Sequence, residues 1–363
     1  MRKIHFLCFY LLLAAACFAQ QNETPKNIIL LIGDGMGPSY VSASVVSLDN
    51  DSFRRFTTTG FSVTCSADKL VTDSAAGATA YSTGYKTTNG YIGLGSDDKP
   101  LETLLELAEK NNKSTGVVAT SSVTHATPAS FVAHQISRSM QLEIAKDFMD
   151  VDIDVVIGGG SSFFTPKDMG GKREDGLNLI DQIKSNGYTF IDDVDNLIKK
   201  TPEGKFYALL EKEALDKACD RNYTLGQLTQ AAIENLSKNE NGFVLMVEGS
   251  QIDWGGHNND QDYLLSELKD FNTAINTALD FAAKDSSTLV IVVADHETGG
   301  MAITSGARDG SDLGLKFIYD HHTASMVGVF AYGPGESLFT GVQENNEVGQ
   351  KLFKFIDPDY SFK

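Results

Sequence analysis

Ser74 lies in a stretch of small residues, Val71-Thr72-Asp73-Ser74-Ala75-Ala76-Gly77-Ala78-Thr79-Ala80. The pattern predicts a loop entering a helix, with Thr72 or Asp73 as the cap and the alanines propagating the turns. Ser74 then falls in the first turn, where free N–H groups and the positive end of the helix dipole favour an anion. A serine hydroxyl needs a base or a metal to act as a nucleophile at neutral pH. The plainer alternative is a helix whose alanines let its neighbours pack closely.

Three apolar runs end in acids: Ile28–Ile32 leads to Asp34, Phe243–Val247 to Glu248, and Leu289–Ala294 to Asp295-His296. Each acid alone reads as a turn or cap residue. If the runs are parallel strands, all three acids crowd one edge of the sheet, and cations relieve the repulsion among them. Asp253-Trp254-Gly255-Gly256-His257 sets a carboxylate and an imidazole four residues apart, which is one face of a helical turn. The two glycines leave a tight turn equally open. His321-His322-Thr323 offers a further ring nitrogen. Mixed histidine and carboxylate ligands suit zinc, and oxygen-only ligands suit magnesium. Thr127-Pro128 predicts a helix start, with Thr127 as N-cap, running over Ala129 to Ser137 and delivering Arg138 at its end. The Arg138 fork is either a solvated charge or a grip for two phosphate oxygens.

The elements that must position these groups alternate in type. Apolar runs at Ile28–Ile32, Val117–Ala119, Val155–Ile157, Phe243–Val247, Leu289–Val293 and Val327–Tyr332 predict buried strands. Leu101–Lys110 and the spaced Leu264, Leu268, Phe271, Ile275 and Leu279 predict helices between them. The expected fold is α/β, with a central, mostly parallel sheet covered by helices on both faces and its ligands at the carboxyl ends of the strands. Residues 160–240 carry the weakest pattern and read as an insertion or lid on a single domain spanning residues 20–363.

Composition narrows the class. The chain has 363 residues, 42% of them hydrophobic, and a formal net charge of −18. That is enough for a substantial core, and the acidic balance argues against nucleic acid as a bound partner. Residues 1–19 read as a signal peptide: Arg2 and Lys3 precede the apolar run Phe6–Ala16, too short to span a bilayer, and Cys17-Phe18-Ala19 offers a cleavage site. The expected location is the periplasm or outside the cell; lipid attachment at Cys17 is the alternative. No second segment is apolar and long enough to span a membrane. Cys65 and Cys219 remain after cleavage. An oxidising compartment permits a bridge between them, and spacing leaves open whether they meet.

Taken together, the motifs resemble those of the alkaline phosphatase family, from about Asn27 to Gly333. They are Gly33-Asp34-Gly35-Met36-Gly37, Thr72-Asp73-Ser74-Ala75-Ala76, Ala126-Thr127-Pro128, Val247-Glu248-Gly249, Ile252-Asp253 with His257, Ala294-Asp295-His296, and His322-Thr323. The resemblance implies an alkaline-phosphatase-like fold and hydrolysis of phosphate monoesters through a phosphoserine at Ser74. It implies a first zinc on Asp253, His257 and His322, and a second on Asp34, Asp295 and His296. A third site, usually magnesium, would use Asp34, Thr127 and Glu248. Arg138 matches the arginine that holds phosphate, and a homodimer is compatible with the family. His321 and His134 are left as structural. Against the best-known bacterial pattern, His125 stands for an aspartate and Trp254 for a lysine, so zinc or cobalt can compete at the third site. Two rivals remain. A phosphodiesterase of the same superfamily is disfavoured because a diester lacks one of the two oxygens Arg138 would grip. A non-catalytic phosphate- or metal-binding protein has no use for Ser74.

Overall fold

The computed structural model describes residues 24–362; the signal-peptide and Cys17 readings lie outside the described residues. Ten strands form the central sheet. In chain order they begin with β1 (Asn27–Gly33), β2 (Thr58–Val63), β3 (Ser114–Ser122), β4 (Val155–Gly159), β5 (Thr189–Ile191), β6 (Phe206–Glu211), β7 (Phe243–Gly249) and β8 (Thr288–Val293). Two short pairs follow, made from β9 (Glu297–Thr298), β10 (Ala302–Ser305), β11 (Gly314–Lys316) and β12 (His322–Thr323). The sheet is completed by β13 (Val327–Tyr332) and β14 (Gly341–Glu344). The strand order is β14-β2-β13-β8-β1-β7-β3-β4-β6-β5. Only β13 runs against the rest, pairing antiparallel with β8 and β2.

Alternation within β1 shows why its whole run is apolar. Ile28, Leu30 and Ile32 enter one core, while Ile29 and Leu31 enter the other. A strand covered on both faces has no solvent side to keep polar. Among the helices that cover the sheet or frame its carboxyl edge are α1 (Ser74–Thr83), α2 (Ala126–Ala129), α3 (Leu225–Leu236), α4 (Gln251–His257), α5 (Gln261–Asp285) and α6 (Asn345–Ile356). The first core takes Ala75, Ala78 and Tyr81 of α1 with Val348 and Leu352 of α6. The second takes Leu228 and Ile233 of α3 with Leu264, Phe271 and Ile275 of α5.

Two stretches singled out in the sequence are placed here. Residues 160–240 supply β5 and β6 at the edge of the sheet and the helix α3 that covers it. The weak pattern reflects short edge strands and polar loops. The helix expected over Ala129–Ser137 is a single turn, α2, with His125 rather than Thr127 at the N-cap position. Thr127 sits inside the turn. Beyond it Phe131, Val132 and Ala133 are buried in the core, and Gln135 exchanges both backbone hydrogen bonds with Ile92 at 2.9 Å. Tertiary burial and that bridge override local helix propensity, and Arg138 arrives on an irregular loop.

Candidate active site

The four central strands β8, β1, β7 and β3 lie side by side. Ile32 of β1 pairs with Glu248 of β7 and with Val293 of β8. Asp34 and Asp295 therefore emerge just beyond the same rung that carries Glu248. Gly35 makes the turn possible. Its φ is +71°, and a Cβ there would lie 2.6 Å from Thr298 Oγ1 and 2.9 Å from Asp253 Oδ1, so only glycine fits.

Among the described residues, three groups of side chains each bring their ligand atoms within 4.8 Å of one another. The first is Asp253, His257 and His322. Despite its glycines, α4 is a helix, and His257 Nε2 lies 3.3 Å from Asp253 Oδ2. His257 Nδ1 faces the Asp320 carbonyl at 2.6 Å, and His322 Nδ1 faces the Thr72 carbonyl at 2.9 Å. Carbonyls only accept, so both Nδ1 atoms carry the proton. With both rings neutral, the Nε2 lone pairs point inward, 3.2 Å apart, where they can share a cation.

The second group is Asp34, Asp295 and His296, all fully buried. His296 Nε2 lies 3.3 Å from Asp34 Oδ1 and 3.4 Å from Asp295 Oδ2. Ser74 Oγ joins this group, 3.2 Å from His296 Nε2 and 3.5 Å from Asp34 Oδ1. Asp73 is the helix cap, accepting from Ala76 N–H at 3.0 Å, and Ser74 is the first residue of α1. The close-packing reading of the alanine stretch also holds. A Cβ on Gly77 would lie 2.9 Å from the Asp295 carbonyl, so the missing side chain lets α1 press against the ligand loop.

The third group is Asp34, His125 and Glu248. His125 thus joins the two acids more directly than the sequence indicated. Thr127 is buried, and its Oγ1 has no hydrogen-bond partner. Ser121 and Ser250 hydroxyls donate to Glu248 Oε2 at 3.2 and 2.5 Å, leaving Oε1 unpartnered. Trp254 packs edge-on against His125, with ring centroids 5.9 Å apart.

Asp34 Oδ2, Asp295 Oδ2, Glu248 Oε1 and Thr127 Oγ1 are all buried without a hydrogen-bond partner. Burying so many unpaired lone pairs is costly unless something positive meets them. Burial pushes Asp295 and Glu248 up to about 7, and pushes Asp34 well above the usual carboxylate range with help from Asp295 and Asp253. Burial also holds the His125 imidazole down to about 3 and His296 well below its ordinary value, so both rings stay neutral and available as ligands. The donor set fits divalent cations.

Arg138 stands at the rim. Its Nη1 lies 3.2 Å from Asp73 Oδ2, and its Nη2 lies 3.4 Å from His125 Nε2. His134 stays outside the site, held by the Gly93 carbonyl at 2.8 Å and by Glu106. His321 is exposed and pairs with Asp320. Cys65 and Cys219 are both free. Sequence reasoning passes over Ser121, Ser250 and Thr298. Ser250 and Thr298 each lie two residues after a candidate ligand, and that spacing is the available signal.

The alkaline phosphatase family model matches residues 25–316. The chain belongs to the alkaline phosphatase family. It is 35% identical to alkaline phosphatase 3 of Bacillus subtilis (strain 168), over 91% of this chain and 89% of that protein. Alkaline phosphatase from the Antarctic bacterium TAB5 superposes with a TM-score of 0.86 at 42% identity, covering 93% of this chain and 99% of the TAB5 chain. A TAB5 variant with glutamate in place of a histidine is described with magnesium bound in its M3 site. Family membership makes this phosphatase a metal-binding hydrolase.

Proposed function

We propose that the chain hydrolyses phosphate monoesters through a covalent phosphoserine at Ser74. The observation that carries this reading is the 3.2 Å approach of Ser74 Oγ to His296 Nε2, at the first residue of a capped helix. Asp253, His257 and His322 would hold one zinc, and Asp34, Asp295 and His296 a second. Asp34, Glu248, Thr127 and His125 would hold a third ion. Bound there, the ions would supply positive charge that polarises the serine hydroxyl and neutralises the phosphoryl oxygens.

The chain's own residues do the rest. Arg138 grips two non-bridging oxygens and turns the phosphorus toward α1. Ser74 Oγ attacks in line as the bond from phosphorus to the alcohol oxygen breaks, the proton lost from Oγ is made up on the departing oxygen, and the alcohol leaves. Water then attacks the phosphoserine in line, the bond from phosphorus to Oγ breaks, and inorganic phosphate departs as Ser74 regains its hydroxyl. The N–H groups at the start of α1 add partial positive charge where the oxygens crowd.

In the TAB5 variant an acid in place of a histidine accompanies magnesium. His125 is the histidine of the acid-rich third group here, so we infer that its nitrogen favours zinc or cobalt over magnesium. The predicted signal segment supports a periplasmic or secreted location. The test is hydrolysis of p-nitrophenyl phosphate and of its bis ester, with and without a chelator. We expect the monoester to be cleaved, the diester to be cleaved far more slowly, and both rates to collapse on chelation. Absence of monoester hydrolysis by the zinc-loaded protein would overturn the reading.

A further inference from the structure

Thr298 lies in β9, between the first and second ligand groups. Its Oγ1 is 2.5 Å from Asp253 Oδ1 of the first group and 3.3 Å from His296 Nδ1 of the second. The residue is buried and clamped through its backbone. Its N–H donates to the Gly35 carbonyl at 3.1 Å, its carbonyl accepts from Tyr40 Oη at 2.5 Å, and its register partner is His322. The hydroxyl presses on Gly35, which has no side chain to collide with it.

A hydroxyl carries one proton and can also accept. Asp253 as a carboxylate only accepts, so the Oγ1 proton goes to Asp253. The His296 contact must then run the other way, with Nδ1–H donating to Oγ1. That leaves His296 Nε2 without a proton, facing Ser74 Oγ, Asp34 Oδ1 and Asp295 Oδ2 at 3.2, 3.3 and 3.4 Å. His257 and His322 have their tautomers fixed by backbone carbonyls. For His296 the same task falls to a side chain that also holds a ligand of the neighbouring group.

We propose that Thr298 is a positioning residue shared by both groups: one hydroxyl orients the Asp253 carboxylate and fixes the His296 tautomer that presents Nε2 to a metal. Its loss weakens both groups at once, because the same hydroxyl touches Asp253 Oδ1 and His296 Nδ1. The proposal rests on Asp253 and His296 being metal ligands. Outer hydrogen-bond partners of metal ligands are worth about 10–100-fold in metal affinity.

The test uses Thr298→Val, which keeps the methyl that packs 3.0 Å from a Cβ built on Gly256, and Thr298→Ser, which keeps the hydroxyl. Ring-nitrogen NMR of the metal-free protein reads the His296 tautomer, and calorimetric zinc titration reads each group. In the wild type we expect His296 protonated on Nδ1 alone. In Thr298→Val we expect a mixture of tautomers and zinc affinity about 10–100-fold weaker in both groups, with both properties restored in Thr298→Ser. Three results would overturn the proposal: an unchanged tautomer in Thr298→Val, weakening confined to one group, or failure of serine to restore what valine lost. A serine variant matching the wild type carries the test even if the valine variant does not fold, since Thr298→Ala then supplies the loss. Zinc binding by the wild type that is unaltered in His296→Ala and Asp253→Ala would instead overturn the ligand assignment itself.

Discussion

Arg138 Nη1 lies 3.2 Å from Asp73 Oδ2, and Asp73 Oδ1 caps the helix that opens with Ser74. One carboxylate thus ties the side chain proposed to grip phosphate to the element that presents the nucleophile. Asp73→Asn keeps an amide oxygen for the cap and discharges the pair. We expect its melting temperature to stay near that of the wild type while inhibition by inorganic phosphate weakens. Asp73→Ala removes the cap as well and should cost a further 0.5–2 kcal/mol or so of stability. Thermal melts and phosphate inhibition constants separate the two effects. Equal melting temperatures for Asn and Ala would show that the cap carries no weight.

Arg138→Ala removes the fork itself. Loss of a charged bidentate contact is worth roughly 1.5–3 kcal/mol, so the Michaelis constant for monoesters should rise by about one to two orders of magnitude. Diester hydrolysis, which offers one free oxygen fewer, should change less. Equal losses on both substrates would mean that Arg138 does not read the second oxygen.

Much of this site is legible in the sequence because it is built from strand ends. Asp34, Glu248 and Asp295 each follow an apolar run, and parallel register alone brings them to one edge. The Asp253–His257 pair needs only one helical turn. Arg138 and His125 are harder to place. Their segment reads as helical, and it is instead pinned by burial of Phe131 and Val132 and by the Ile92–Gln135 bridge, which are long-range facts. Thr298 is invisible in the sequence because a threonine two residues after a histidine has no ligand chemistry of its own. Its role depends on Asp253, 45 residues away.

Chelation should lower stability as well as activity, because ions that bind only the folded state add to its free energy. A site held at about a hundredfold excess over its dissociation constant contributes about 2.7 kcal/mol. Calorimetric melts with and without chelator read the effect, and zinc should restore the original melting temperature. A chelated protein that melts as the loaded one does would show that the buried, unpartnered oxygens do not need a cation.

The third group tests the metal preference. His125→Asp with Trp254→Lys exchanges a neutral ring for a carboxylate and the ring packed against it for a cation. A carboxylate suits hard, octahedral magnesium, and the new lysine adds a hold on phosphate. We expect stronger magnesium dependence, tighter phosphate inhibition and lower turnover, since release of product becomes slower. Unchanged metal preference and phosphate inhibition would show that neither residue tunes the site.

Glu109 gives a pH prediction remote from the ligands. Burial pushes its carboxyl up to about 7, against the opposing 3.1 Å hydrogen bond from Thr115 Oγ1. In the unfolded chain it titrates at about 4.3. Between those values the folded state binds more protons, so stability falls as pH rises through this window and the penalty is complete above it. Glu109→Gln keeps an acceptor for Thr115 and has no charge to bury. Denaturant midpoints at pH 5 and pH 8, both with saturating zinc, should show the variant gaining on the wild type at pH 8 and matching it more closely at pH 5. A difference independent of pH would remove Glu109 as the cause.

The most direct measurement is mass spectrometry of zinc-loaded protein quenched with acid during turnover of a phosphate monoester. Phosphate should be found on Ser74, and Ser74→Ala should carry none, with turnover reduced by several orders of magnitude. A Ser74→Ala protein that turns over at the wild-type rate, or a quenched wild-type protein whose phosphate sits on another residue, would contradict the account.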